Sequence, residues 1–250
     1  MNLINELDKA IAKLNKGNWE KHHPKTAHYV TDYLFDYEGT IHGKSCLRKQ
    51  YYDWNSVPPI WEDIESKRLY GREFGKYVQR FMEDLLMIGG YAIKKEVSLP
   101  EIKIEGLKYP IHGRIDDILL YADLMYMLEI KSCHGRKVNS KQFGIMYHGA
   151  DIDHKYQVAM YKKYYPNQMD EYHLLYFSRE DFNRREFIAE DNMNLPEEFD
   201  FKYWKILEGY LEKKELPPRD IREDVAKGEK SWMCQWCDYK TLCYEVHKNI

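Results

Sequence analysis

No run of apolar residues in this 250-residue chain approaches the roughly 18 that a membrane-crossing helix needs. The opening residues, Met1-Asn2-Leu3-Ile4-Asn5-Glu6, lack the basic and apolar regions of a secretory signal. Both absences predict a soluble, cytoplasmic protein without a membrane partner. There are no internal repeats and no low-complexity tracts. Neither sign of charge is in excess: 38 Lys and Arg stand against 41 Asp and Glu. That balance leaves nucleic acid open as a partner, because a local basic groove can sit on a near-neutral protein. Cysteine is scarce, with five in all. In a reducing compartment five cysteines do not make a disulfide framework, so clustered ones are read first as metal ligands.

What is present is enough apolar material for a sizeable core, 44% of the residues, and 22 tyrosines. Tyrosine can stack on unpaired bases, although core and rim positions account for most of such a number. Leu3, Ile4, Leu7, Ala10, Ile11 and Leu14 recur at helical spacing and predict a short N-terminal helix. An irregular stretch runs to about Gly43. A long helix is expected after Pro58-Pro59, with Phe74, Tyr77, Val78, Phe81, Met82 and Leu85 on one side, closed by Gly89-Gly90. Strands are predicted over residues 92–99, 102–105, 110–121 and 124–132. A helix over 151–165, strands over 172–178 and 186–189, and a helix over 197–213 complete the order.

The segment richest in chemistry is Gly113-Arg114-Ile115-Asp116-Asp117 followed by Leu128-Glu129-Ile130-Lys131. A hairpin centred between Ala122 and Asp123 would place Tyr121 opposite Leu124 and Asp116 opposite Glu129. Directly opposed side chains have Cβ atoms about 4.5–5.5 Å apart, and Lys131, two residues on, shares the face of Glu129. Opposed like charges weaken a sheet unless something compensates them. A divalent cation such as Mg²⁺ or Mn²⁺ does so, taking carboxylate oxygens and completing its shell with waters and phosphates. The Ile130 carbonyl is a further candidate ligand. Lys131 is the candidate to orient or deprotonate an attacking water and to offset charge on phosphorus. Parity points Asp117 to the opposite face. Standing alone, Glu-Ile-Lys is ordinarily explained by an exposed alternating strand.

These elements resemble the PD-(D/E)XK nuclease superfamily, whose α/β core runs helix, three strands, helix, strand. The RecB-type branch carries Gly-x-x-x-His, Gly-x-Ile-Asp, Glu-x-Lys and Gln-x-x-x-Tyr. Gly113 to Asp116, Glu129 to Lys131 and Gln157-Val158-Ala159-Met160-Tyr161 match it. The resemblance implies that Gln157 positions water or phosphate and that Tyr161 contacts the DNA backbone. The helix histidine, often a metal ligand, aligns with Gln79, a weaker ligand. Glu83, one turn on, is an alternative there.

Cys234-Gln235-Trp236-Cys237 and Cys243 make a C-x2-C-x5-C set that is one ligand short of tetrahedral. Cys46 and Cys133 are the remaining thiols. Spacing alone leaves zinc and an iron–sulfur cluster both open. Iron–sulfur RecB-type nucleases, among them those of CRISPR spacer acquisition and the AddB nuclease domain, place one cysteine upstream of the core and three downstream. By that resemblance Cys46, Cys234, Cys237 and Cys243 hold a [4Fe–4S] cluster, with zinc as the alternative, and Cys133 stands outside the set.

The implied organisation is an N-terminal helical extension over 1–43, a nuclease core over 61–216, and an iron–sulfur subdomain from 44–60 plus 217–250. His134, Arg136, Lys137 and Lys141 form a basic loop beside the candidate site, and Arg48 and Lys49 flank Cys46. Each is a candidate phosphate contact or a solvated charge. The implied activity is a metal-dependent DNA exonuclease preferring single-stranded ends, in CRISPR adaptation, repair or phage DNA metabolism. The alternatives are a DNA-binding or interaction protein that keeps the fold without turnover, and a zinc-stabilised structural protein.

Overall fold

The computed structural model describes residues 3–20, 24–43, 45–60, 66–134, 144–219, 234 and 237–246. It is a mixed α/β protein around a five-stranded sheet. Helix α1 covers Leu3–Glu20, longer than its apolar spacing predicts. Strand β1, His28–Tyr29, and the hairpin of β2, Phe35–Tyr37, with β3, Thr40–His42, follow. Helix α2 is Leu47–Trp54 and helix α3 is Ser66–Ile88. Then come β4, Ala92–Ser98; β5, Ile111–His112; β6, Arg114–Tyr121; and β7, Leu124–Cys133. A short helix α4, Ile145–His148, precedes α5, Ile152–Tyr164. Strands β8, Glu171–Ser178, and β9, Arg184–Ile188, and helix α6, Lys202–Lys213, close the core.

The sheet order is β4-β6-β7-β8-β9, antiparallel throughout except for the parallel β7–β8 pair. Parallel neighbours need a crossover connection, and α5 supplies it. The β6–β7 ladder pairs Tyr121 with Leu124 and runs to Asp117 with Leu128, the register the hairpin reading predicts. Its turn residues, Ala122 and Asp123, take φ of 49° and 64°. A two-residue turn with both φ positive has the twist that suits a right-handed strand pair. The stretch 102–105 is not a strand; it holds only a bridge from Ile102 to Ile111.

The two faces of the sheet are covered differently. A Cβ on Gly75 of α3 would come within 2.9 Å of Ser132 Oγ, so α3 lies against the face of β7 that Ser132 presents. Gln157 of α5 bonds Glu129, whose parity is opposite. The α5 side carries the main core, including Ile118, Met127, Tyr172, Leu174, Tyr176, Val158 and Trp204.

Two expectations change here. Phe74, Tyr77, Phe81 and Leu85 are exposed, Tyr77 to 68%, whereas Leu69, Val78 and Glu83 are buried. Helix α3 has apolar residues on more than one face, and the inward one includes polar side chains that periodicity assigns to solvent. The segment after α1 is likewise no separate extension. Val30, Tyr33 and Phe35 belong to the main core, and β1 pairs in parallel with β5. His28, stacked 4.7 Å from Trp204, meets Glu208 Oε1 of α6 at 2.9 Å. Glu208 also accepts the backbone N–H groups of Lys108 and Tyr109. A buried carboxylate with several donors is satisfied, and this one ties β1 and the 108–109 turn to α6.

Candidate functional site

The β6–β7 ladder parts beyond Asp117 and Leu128, and the candidate site is built in that opening. Asp116 Oδ2 accepts the N–H of Ile130 at 2.7 Å. Tyr161 donates its hydroxyl to the Arg114 carbonyl at 2.8 Å. Side chains of the site thus bond backbone groups on both sides of the gap. Gly113 borders it because a Cβ there would lie 2.5 Å from Leu99 and 3.0 Å from the Tyr161 ring. A Cβ there would clash first with Leu99 and Val30 and press on the Tyr161 ring.

Glu129 is 1% exposed. Its Oε1 accepts from Gln157 Nε2 at 2.7 Å and from Lys131 Nζ. The same Gln157 amide donates to Tyr161 Oη at 2.8 Å. One chain of bonds therefore runs from Arg114 through Tyr161 and Gln157 to Glu129 and Lys131. Gln157 and Tyr161 sit at i, i+4 on α5, which turns both toward the sheet. Tyr161 is buried, and burial pushes its hydroxyl well above the ordinary tyrosine range. It stays protonated and donates inward to the Arg114 carbonyl.

Burial also raises the Asp116 carboxyl, against the lowering effects of Lys131, the Ile130 N–H and Gln79. Gln79 of α3 lowers both the Asp116 and the Glu83 carboxyls, so it stands near both. Glu83 is buried and its carboxyl is raised by that burial. Asp117, on the α3 side as its parity predicts, is fully buried. Burial first, then the Glu83 and Asp116 charges, push it up to about 7.

Among the described residues no three His, Cys, Asp or Glu side chains are gathered into a preformed metal-binding group. Asp116 and Glu129 would supply two hard oxygen ligands, a number suited to Mg²⁺ or Mn²⁺ completed by water and phosphate oxygens. The donor chemistry fits. The Ile130 N–H is spent on Asp116, and its buried side chain anchors the strand behind the pair.

Away from the carboxylates, Cys46, Cys234, Cys237 and Cys243 line one small pocket. Cys133, at the end of β7, is not among its lining residues. Cys46 caps α2, its Sγ 3.4 Å from the Lys49 N–H. The tail is held to α2 by Tyr239, which donates to Asp53 at 2.8 Å and packs on Tyr52 at 4.9 Å. Burial pushes the Cys237 thiol up to about 11, so a thiolate there at neutral pH needs a cation beside it. Four cysteines lining one pocket offer the donor type of zinc or of an iron–sulfur cluster, though among the described residues they form no preformed metal-binding group.

The flanking cations divide. Arg48 is buried, donating to the Pro217 carbonyl at 2.7 Å and lying 3.7 Å from Cys243 Sγ. Lys49 pairs with Asp53 at 2.6 Å. Both are structural here and neither is a solvated phosphate contact. His134 meets Glu180 at 2.6 Å, while Arg136, Lys137 and Lys141 lie outside the described residues. The buried Glu83–Asp117 pair was the feature parity alone could not find, since its meaning depends on α3 lying over it.

The chain matches no family model and no curated protein. It shares its fold with a solved structure. The crystal structure of SSO0001 matches with a TM-score of 0.55, covering 95% of this chain and 96% of that one. At 19% identity this likeness shows the fold alone.

Proposed function

We propose that this chain is a metal-dependent deoxyribonuclease of the PD-(D/E)XK, RecB-type class, acting as an exonuclease on single-stranded ends. The observation that carries the reading is the meeting of Asp116, Glu129 and Lys131 at the opening of β6 and β7, braced from α5 by Gln157 and Tyr161. In phosphodiester hydrolysis water adds to phosphorus, a P–O bond breaks, and the departing oxygen takes a proton. Asp116 and Glu129 would hold Mg²⁺ or Mn²⁺, which supplies a polarised water and charge stabilisation on the phosphate. Lys131 orients the water and stabilises the extra negative charge. Gln157 keeps Glu129 in place while Lys131 turns from it to the substrate. The four cysteines would hold a [4Fe–4S] cluster, with zinc as the alternative, that fastens the tail to α2.

A second reading has one observation in its favour. Glu129 is buried and already bonded by Lys131 and Gln157, an arrangement that also suits a DNA-binding protein without turnover. End-labelled linear single strands, blunt duplex and closed circles, incubated with Mg²⁺ or Mn²⁺, separate the two. Linear single strands should shorten fastest and circles should survive. Full cleavage by Asp116→Ala would sink the assignment of the site. Binding without cleavage by the wild-type protein would establish the second reading.

A further inference from the structure

Beneath α3 lies a carboxylate that the proposed reaction does not use. Asp117 is 0% exposed, and neither of its oxygens has a hydrogen-bond partner among the described residues. It faces α3 because it pairs with Leu128, whose parity is that of Ser132. On its other side it pairs with Lys95 of β4. Lys95 Nζ in turn stands 3.8 Å from Glu83 Oε2, and its closer partner is Asp84 at 2.9 Å. Glu83, 6% exposed on α3, thus reaches the Lys95 side chain beside Asp117, and its charge acts on the Asp117 carboxyl. Two buried carboxylates facing one space are costly unless a cation or a proton compensates them. Lys95, a third exposed and engaged at its rim, leaves the Asp117 oxygens without a bond.

We propose that Asp117 and Glu83 bind a second divalent cation, of the Mg²⁺ or Mn²⁺ class, between α3 and the sheet. Hard oxygen donors select that class over soft metals. The ion would pin α3 to β6 behind the candidate site. This site is separate from the cation proposed between Asp116 and Glu129, and it stands whether or not the chain cleaves DNA.

The test is a Mn²⁺ titration of the full chain with its cysteine site loaded, counting free Mn²⁺ by room-temperature electron paramagnetic resonance. Asp117→Asn should bind one Mn²⁺ fewer per chain than wild type, and Glu83→Gln should do the same. Each should also lose part of the rise in melting temperature that Mn²⁺ gives the wild-type protein. Glu129→Gln should lose the other ion and keep this one. Unchanged stoichiometry in both Asp117→Asn and Glu83→Gln would overturn the proposal, leaving Asp117 as a buried protonated acid. If Glu129→Gln alone loses an ion, the nuclease reading keeps its metal and this site falls. If only the Asp117 and Glu83 variants lose one, this site stands and the metal assignment at Glu129 falls.

Discussion

Gln157 Nε2 lies 2.7 Å from Glu129 Oε1 and 2.8 Å from Tyr161 Oη, so one amide fixes a candidate metal ligand to a buried tyrosine. Both amide hydrogens are spent within the protein. Gln157→Leu should therefore lower kcat on the order of ten- to a hundredfold, through a displaced Glu129. Affinity for DNA should change little, because phosphate contacts supply most of it. A fall in affinity with kcat intact would show that Gln157 touches substrate instead.

Lys131 reaches Glu129 along the same strand face, and its role is separable from metal binding. Lys131→Met should reduce cleavage by roughly a hundredfold to ten-thousandfold, the span of positioned proton transfer and charge stabilisation. Mn²⁺ stoichiometry should stay at the wild-type value. A variant that loses the ion as well would make Lys131 part of the architecture of the metal site.

The four thiols around one cavity make a prediction about stability. Cys46 and Cys234 are separated by 187 residues, and closing a loop of that length restricts the unfolded chain by about 5 kcal/mol in the chain-entropy view. Replacing any of the four with Ser should lower the melting temperature and the soluble yield, while Cys133→Ser should do neither. Metal analysis of the purified chain should give iron with acid-labile sulfide; stoichiometric zinc without sulfide would make it a zinc site.

His173 offers a pH test on the outer strands. Burial by itself would lower its pKa, but hydrogen bonds to Glu186 and Glu171, both 2.8 Å, outweigh this and raise it above 6.5. A histidine raised on folding adds stability that is complete below its unfolded value and fades as pH climbs through the folded one. The His173 ring resonances should titrate above 6.5, and Glu186→Gln should bring the midpoint down. A midpoint that stays put in Glu186→Gln would show the pair to be broken in solution.

The hairpin of β6 and β7 was legible in the sequence because strand periodicity and a short turn act locally. Once Ala122 and Asp123 form the turn, the partners of Asp117 to Tyr121 follow by counting. The helix-then-strand order was legible for the same reason. What escaped was which way α3 faces. Its apolar residues lie on more than one side, and only contact with the sheet decides that Phe74, Tyr77 and Phe81 meet solvent while Glu83 is buried. Tertiary structure alone also turned Tyr161 inward to the Arg114 carbonyl and brought Val30 and Phe35 into the main core. Sequence by itself determined the residues that share a strand face, since the pleat alternates whatever surrounds it. The meeting of Cys46 with a tail almost two hundred residues away, and of Asp117 with Glu83, was decided by packing. Such long-range contacts depend on the whole core closing over them, and no local period in the chain encodes that.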